Sequence, residues 1–151
     1  MTNPEPGITP VDDRFGYLLK HARERLSGLS SRALQPLGVS GRELAVMTVL
    51  VQGEPPSQLE AAQRLSIDRT TMVALLDELE AKGLVERRAD AVDRRRNTVA
   101  LTAKGRQTLA AGARATDQAE REFLAPLAPA DQGRLREMLQ AVTAAGERPA
   151  E

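Results

Sequence analysis

The stretch from Asp68 to Gly105, DRTTMVALLDELEAKGLVERRADAVDRRRNTVALTAKG, decides how this 151-residue chain folds, because its hydrophobic period changes part-way along. Met72, Leu75, Leu76 and Leu79 recur at intervals of three and four, which places them on one face of a helix beginning near Asp68. Lys82 and Gly83 close that helix, with a cation on the negative end of the dipole and then a residue that accepts left-handed φ. LVERR (84–88) and TVAL (98–101) alternate loosely around the β-branched Val85 and Val99, the pattern of an antiparallel hairpin. The connection between them, 89–97, is longer than the usual hairpin loop of about two to five residues, and long structured loops are more often functional than accidental.

Working outward, Ser40 with Glu43 and Ser57 with Glu60 have the spacing of capping boxes, so a helix starts after each serine. The first runs from Gly41 to about Gln52 and stops at Gly53, Pro55 and Pro56; the second is short, from Ser57 to Leu65. Near the N-terminus, Thr9, Pro10, Asp12 and Asp13 predict a helix running to about Gln35 and stopped by Pro36. Its Phe15, Leu19, Ala22, Leu26, Leu29 and Ala33 step by four and three, a seam that packs along its whole length. Thr102 restarts a helix through Leu124, and Pro129 with Asp131 opens a last one, striped by Leu135, Met138, Leu139 and Val142 and ending at Gly146. The fold class is therefore mainly α with a small β-hairpin wing. Residues 1–8 are expected to be a flexible tail and 37–101 a winged helix-turn-helix, flanked by helical regions at 9–36 and 102–146.

Composition excludes several functions. With no cysteine there are no disulfides, thiolate metal sites or thiol nucleophiles, and His21, the only histidine, cannot build a zinc site alone. No cofactor or metal is expected. Neither a nucleophile motif nor a phosphate-cradling glycine loop is present, and the acid pair Asp12 and Asp13 is explained by a helix start, so an enzyme is disfavoured. There is no apolar run long enough for a membrane span, and the opening MTNPEPGITP lacks the basic-then-apolar order of a secretory signal; the expected location is the cytoplasm. The 21 Lys and Arg balance 21 Asp and Glu, yet Leu84 to Arg106 holds seven cations against three acids. The neutral total conceals a basic segment.

Three elements then combine. In a helix-turn-helix the second helix enters the major groove with its N-terminal residues leading, so Asp68, Arg69, Thr70 and Thr71 are the candidate recognition residues and Ser57 the cap of the first helix. Hydroxyls and first-turn amides suit phosphates, threonine methyls suit thymine, and Arg69 suits a guanine edge or a phosphate. Arg87, Asp93, Arg94, Arg95 and Arg96 make the hairpin a cationic finger for the adjacent minor groove, with Asp93 bracing one arginine. A charge run is commonly only a solvated loop, and helix-turn-helix layouts occur in proteins that never touch DNA. A winged-helix module for protein interaction without DNA binding is thus the alternative.

The ordered set Leu79, Glu80, Gly83, Leu84, Val85, Arg87, Asp93, Arg95, Leu101, Thr102 and Gly105 resembles the motif of the MarR family of winged-helix transcriptional regulators. The resemblance implies a homodimer formed through 9–36 and 102–146, acting on double-stranded DNA at a near-palindromic operator as a repressor. It also implies release by a small aromatic or anionic effector. Tyr17, His21 and Arg25, spaced by four along the first helix, are candidates for lining the effector pocket. One departure matters: relatives often carry further basic residues along the recognition helix, where this chain has Ala74, Asp77 and Glu78. Affinity is then expected to lean on the wing and Arg69, with the acids excluding wrong sequences.

Overall fold

The computed structural model describes residues 7–54, 56–93 and 97–145. The elements run α1 (Phe15–Leu34), α2 (Gly41–Leu50), α3 (Gln58–Leu65), α4 (Arg69–Ala81), β1 (Val85–Ala89), β2 (Asn97–Leu101), α5 (Ala103–Leu124) and α6 (Pro129–Ala144). Side chains set most of the starts. Ser40 and Ser57 form the two capping boxes: each hydroxyl accepts from the amide three residues on, and Glu43 or Glu60 accepts from the cap amide. Asp68 caps α4 and Thr102 caps α5 in the same sense. At its far end α4 turns through Gly83 at φ +72°, a conformation that costs a residue with a Cβ.

The N-terminus departs from expectation. No helix starts at Thr9; Val11–Asp13 make one 3-10 turn, Arg14 is extended, and α1 begins only at Phe15 with no side-chain cap. None of the turn's residues is buried, so no burial at this turn offsets the entropy of extending the helix through Arg14. The expected seam is also only partly used. Leu29 is buried, but Phe15 is 83% exposed and Leu19 is exposed as well. The predicted end of α6 at Gly146 and residues 1–6 of the expected tail lie outside the described residues.

Around one core, α2, α3 and α4 pack with the hairpin. Leu34, Val46, Met47, Met72, Leu76, Leu79 and Val99 are among its fully buried side chains, each contributing about 1.5–3 kcal/mol by leaving water. The two strands pair antiparallel, Val85 with Leu101 through Ala89 with Asn97. The ladder therefore extends one pair beyond the expected strands and leaves 90–96 as the connection. On its other side β2 is tied to the start of α3: Ser57 bridges Thr98, and the Val99 amide donates to the Pro56 carbonyl at 3.4 Å.

The start of α5 is fixed to the corner between α4 and β1. The Thr102 hydroxyl donates to the Gly83 carbonyl at 2.6 Å and its amide to the Leu84 carbonyl at 3.1 Å. Gly105 lies so close that a Cβ there would sit 2.0 Å from the Leu84 oxygen. From this anchor α5 runs back along α1, where the Arg25 guanidinium stands 5.4 Å from the Phe123 ring centre and donates to the Phe123 carbonyl. Among the described residues no helix is long and apolar enough to cross a membrane.

Candidate nucleic-acid interface

The turn between α3 and α4 gives the candidate site its shape. Ser66 adopts left-handed φ (52°), and the amides of Ser66 and Ile67 return to the carbonyls of Gln63 and Ala62, ending α3 and redirecting the chain. Immediately afterwards the Asp68 carboxylate accepts from the Thr71 amide at 2.8 Å and from its hydroxyl at 2.6 Å. The Thr71 hydroxyl first, then the amide, holds the Asp68 carboxyl below its ordinary range. It is therefore a charged cap, and it organises the first turn of α4. Asp68, Arg69 and Thr70 are exposed, while Thr71 is half-buried. Of the four expected recognition residues, Arg69 and Thr70 have their side chains uncommitted among the described residues, and Asp68 and Thr71 hold each other.

The wing is organised at its base by backbone pairing and in its loop by Asp90, whose Oδ1 accepts from the amides of Val92 (2.8 Å) and Asp93 (3.3 Å). Asp93 is exposed and Val92 is 97% exposed, so this side of the loop faces solvent. Arg94, Arg95 and Arg96 lie outside the described residues. Arg88, 65% exposed, pairs with Glu86 on the outer face of β1. Arg87 is placed otherwise. Its guanidinium pairs with Asp77 at 2.6 Å and with Glu80, both on α4.

A second ion pair secures the other end of α4. Glu43, only 2% exposed, receives Lys82 Nζ at 2.6 Å, and the same ammonium donates to the Gly38 carbonyl. Burial pushes the Glu43 carboxyl up. The hydrogen bonds from Lys82 and Ser40, with the Lys82 charge, outweigh that and hold it below the ordinary value. These partnerships were not anticipated from the sequence, although a signal existed: strand alternation puts Arg87 on the same face as buried Val85.

The candidate effector residues engage neighbours on α1 and α5. The Tyr17 and His21 rings meet at a tilt of 54° with their centres 4.1 Å apart, His21 meets Glu24 at 3.2 Å, and Arg25 is turned onto Phe123. A cavity of about 290 Å³ lies among α1, α5 and α6, lined by Leu26, Phe123, Leu124, Leu135 and Leu139 together with polar residues.

A sequence model of the MarR family matches residues 37–96, which spans the three-helix core, β1 and the connection that follows it. Transcriptional regulator HosA of Escherichia coli O127:H6 is 33% identical over 90 residues, 60% of this chain and 67% of that protein. The chain belongs to the MarR family. A putative transcriptional regulatory protein for the hcr operon of Thauera aromatica is 31% identical over 103 residues, 68% of this chain and 62% of that relative. Among solved MarR-type structures, CouR of Rhodococcus jostii RHA1 bound to p-coumaroyl-CoA is 28% identical with a TM-score of 0.79, covering 95% of this chain and all of that one. The transcriptional repressor CouR bound to a 23-mer DNA duplex gives 29% and 0.81, over 90% of this chain and 98% of that one. These structural matches take in the flanking helices as well as the MarR core. The relatives bear the names of regulators, in keeping with the expectation of a regulator rather than an enzyme.

Proposed function

We propose that this chain is a cytoplasmic, dimeric, sequence-specific DNA-binding regulator of transcription, acting as a repressor. The observation that carries the reading is the first turn of α4. There a charged cap presents Arg69 and Thr70 to solvent from a helix that otherwise buries Met72, Leu76 and Leu79. Arg69 and Thr70 are the groups for base edges and phosphates, backed by the first-turn amides. The wing arginines 94–96 supply the sequence-independent attraction that the acids of α4 do not. The similarity to CouR, a repressor whose structure holds DNA, supports the same assignment.

Residues 9–36 and 102–146 serve as the dimerisation region. Support comes from apolar surface that one copy leaves uncovered: Phe15, Leu18 and Leu19 on α1, and Met138, Leu139 and Val142 on α6. No residue of α6 is buried. A single chain holds that helix through Gln132, which donates to the Leu124 and Leu127 carbonyls, and through Arg136 with Glu120. Two-fold pairing sets two α4 helices about one DNA turn apart, roughly 34 Å, on a near-palindromic site. A small aromatic or anionic effector releases the DNA; the apolar cavity among α1, α5 and α6 suits one aromatic ring.

The test is binding to the DNA immediately upstream of the chain's own gene, repeated across a panel of phenolic and other small acids. The expected result is a tight, salt-sensitive complex that one class of acid dissolves. A salt-independent association, or none, would favour the protein-interaction alternative.

A further inference from the structure

Arg87 occupies a place where a cation is unusual. Alternation along β1 sets it on the same face as Val85, and the ladder places it opposite Val99; both valines are buried. Its side chain is only 21% exposed. The guanidinium reaches across to α4, where Asp77 and Glu80 share one side of the helix at a spacing of three. Nη2 meets Asp77 and Nη1 meets Glu80, so both ends of the fork are occupied.

We propose that Arg87 is a positioning residue for DNA recognition rather than a phosphate contact: Asp77 and Glu80 hold it so that the wing keeps one pitch against α4. The proposal rests on the DNA-binding reading above. A two-stranded hairpin is marginal by itself, so its pitch depends on what ties its strands. Here β2 is tied to the start of α3 through Pro56 and Ser57. Without Arg87, the described polar contacts leave β1 joined to the helical core at its root, where the Leu84 amide donates to the Leu79 carbonyl of α4 and the Leu84 carbonyl accepts from Thr102. Arg87 stands two residues before the end of β1, and the loop that carries the arginines follows directly. The lock thus acts at the base of the lever whose tip must reach the minor groove while α4 lies in the major groove. Presetting that angle removes an ordering cost from binding. It also gives Asp77 and Glu80 a use on a helix that meets DNA, where unpaired acids would repel phosphate.

The experiment exploits the absence of cysteine. Nitroxide labels on Ala74→Cys and Ala91→Cys, both exposed positions, report the distance from α4 to the wing without DNA. A narrow distribution is expected in the otherwise unaltered chain, broadening with Arg87→Ala and with Asp77→Asn plus Glu80→Gln. On the operator, the Asp77→Asn plus Glu80→Gln variant is expected to bind about tenfold more weakly, although two negative charges have gone, with random DNA little affected. Arg87→Ala should match it and leave the slope of log K against log salt unchanged. The proposal is overturned if the doubly neutralised variant binds all DNA more tightly, or if Arg87→Ala lowers the slope by about 0.9, the mark of one lost phosphate contact. It is equally overturned if the distance distribution stays narrow in both variants. A parent chain that bound no DNA would sink the proposal through the DNA reading, and the distances would show separately whether the tie exists.

Discussion

Replacing Lys82 by Met should destabilise this protein more than replacing Glu43 by Gln, and the difference should depend on pH. The Glu43 side chain is 3% exposed and that of Lys82 40%. Lys82→Met keeps the aliphatic stem but leaves a buried carboxylate without its cation. Breaking a fully buried pair costs about 3–5 kcal/mol, and water reaching the Lys82 side sets the expected loss near the low end, about 3 kcal/mol. Glu43→Gln keeps an acceptor for Lys82 and for the Ser40 amide and loses only the charge assistance, about 1–1.5 kcal/mol. In the parent protein the Glu43 carboxyl lies below its ordinary value, so its contribution is present above that value and is lost as pH falls through the lowered one. In Lys82→Met burial dominates and the carboxyl rises, so acidification relieves the variant by protonating it. The stability gap should therefore narrow between about pH 7 and about pH 4. Urea unfolding followed by far-ultraviolet circular dichroism reads both values. A gap that is constant or wider in acid, or a larger loss from Glu43→Gln at neutral pH, would mean that the Lys82 charge is not what stabilises the buried carboxylate.

Gly105→Ala should lower stability by about 3 kcal/mol in thermal or urea unfolding, since the added methyl meets the Leu84 carbonyl and neither backbone can yield cheaply; a loss within experimental error would show that the approach of α5 to β1 is looser than described. Ser57→Ala should cost about 1 kcal/mol by removing the α3 cap, and amide exchange should rise first at the start of α3 and in the paired β2. Met138→Glu with Val142→Glu should yield a folded monomer by sedimentation at micromolar concentration, with operator affinity reduced; a persistent dimer would place the interface elsewhere.

Local chemistry made the central fold legible. The spacing of Ser40 to Glu43 and of Ser57 to Glu60 announces two helix starts because the two partners of a capping box are near neighbours in sequence. The change from the Met72, Leu76, Leu79 period to the alternation around Val85 and Val99 locates the hairpin for the same reason. Thr9, Pro10, Asp12 and Asp13 misled because a helix start also needs something to pack on, and Val11 is 67% exposed. At the candidate site, Arg69 and Thr70 are exposed at the first turn of α4, and the charge of Arg87 is visible in the sequence whereas its partners on α4 are not. Asp77 lies ten residues away and Glu80 seven, brought alongside only when β1 folds back over α4. Lys82 and Glu43, 39 residues apart, are paired wholly by tertiary structure.

In the proposed function the first turn of α4 and the arginine-bearing wing form one DNA-facing surface, repeated by two-fold pairing. Hydroxyl-radical and base-methylation footprinting on an operator selected from random DNA tests it most directly. The expected pattern is two protected major-groove patches about one helical turn apart, each flanked by minor-groove protection. In Arg69→Ala the major-groove protection should weaken and the flanks persist. Protection in a single unflanked patch, or a footprint indifferent to Arg69, would contradict the account.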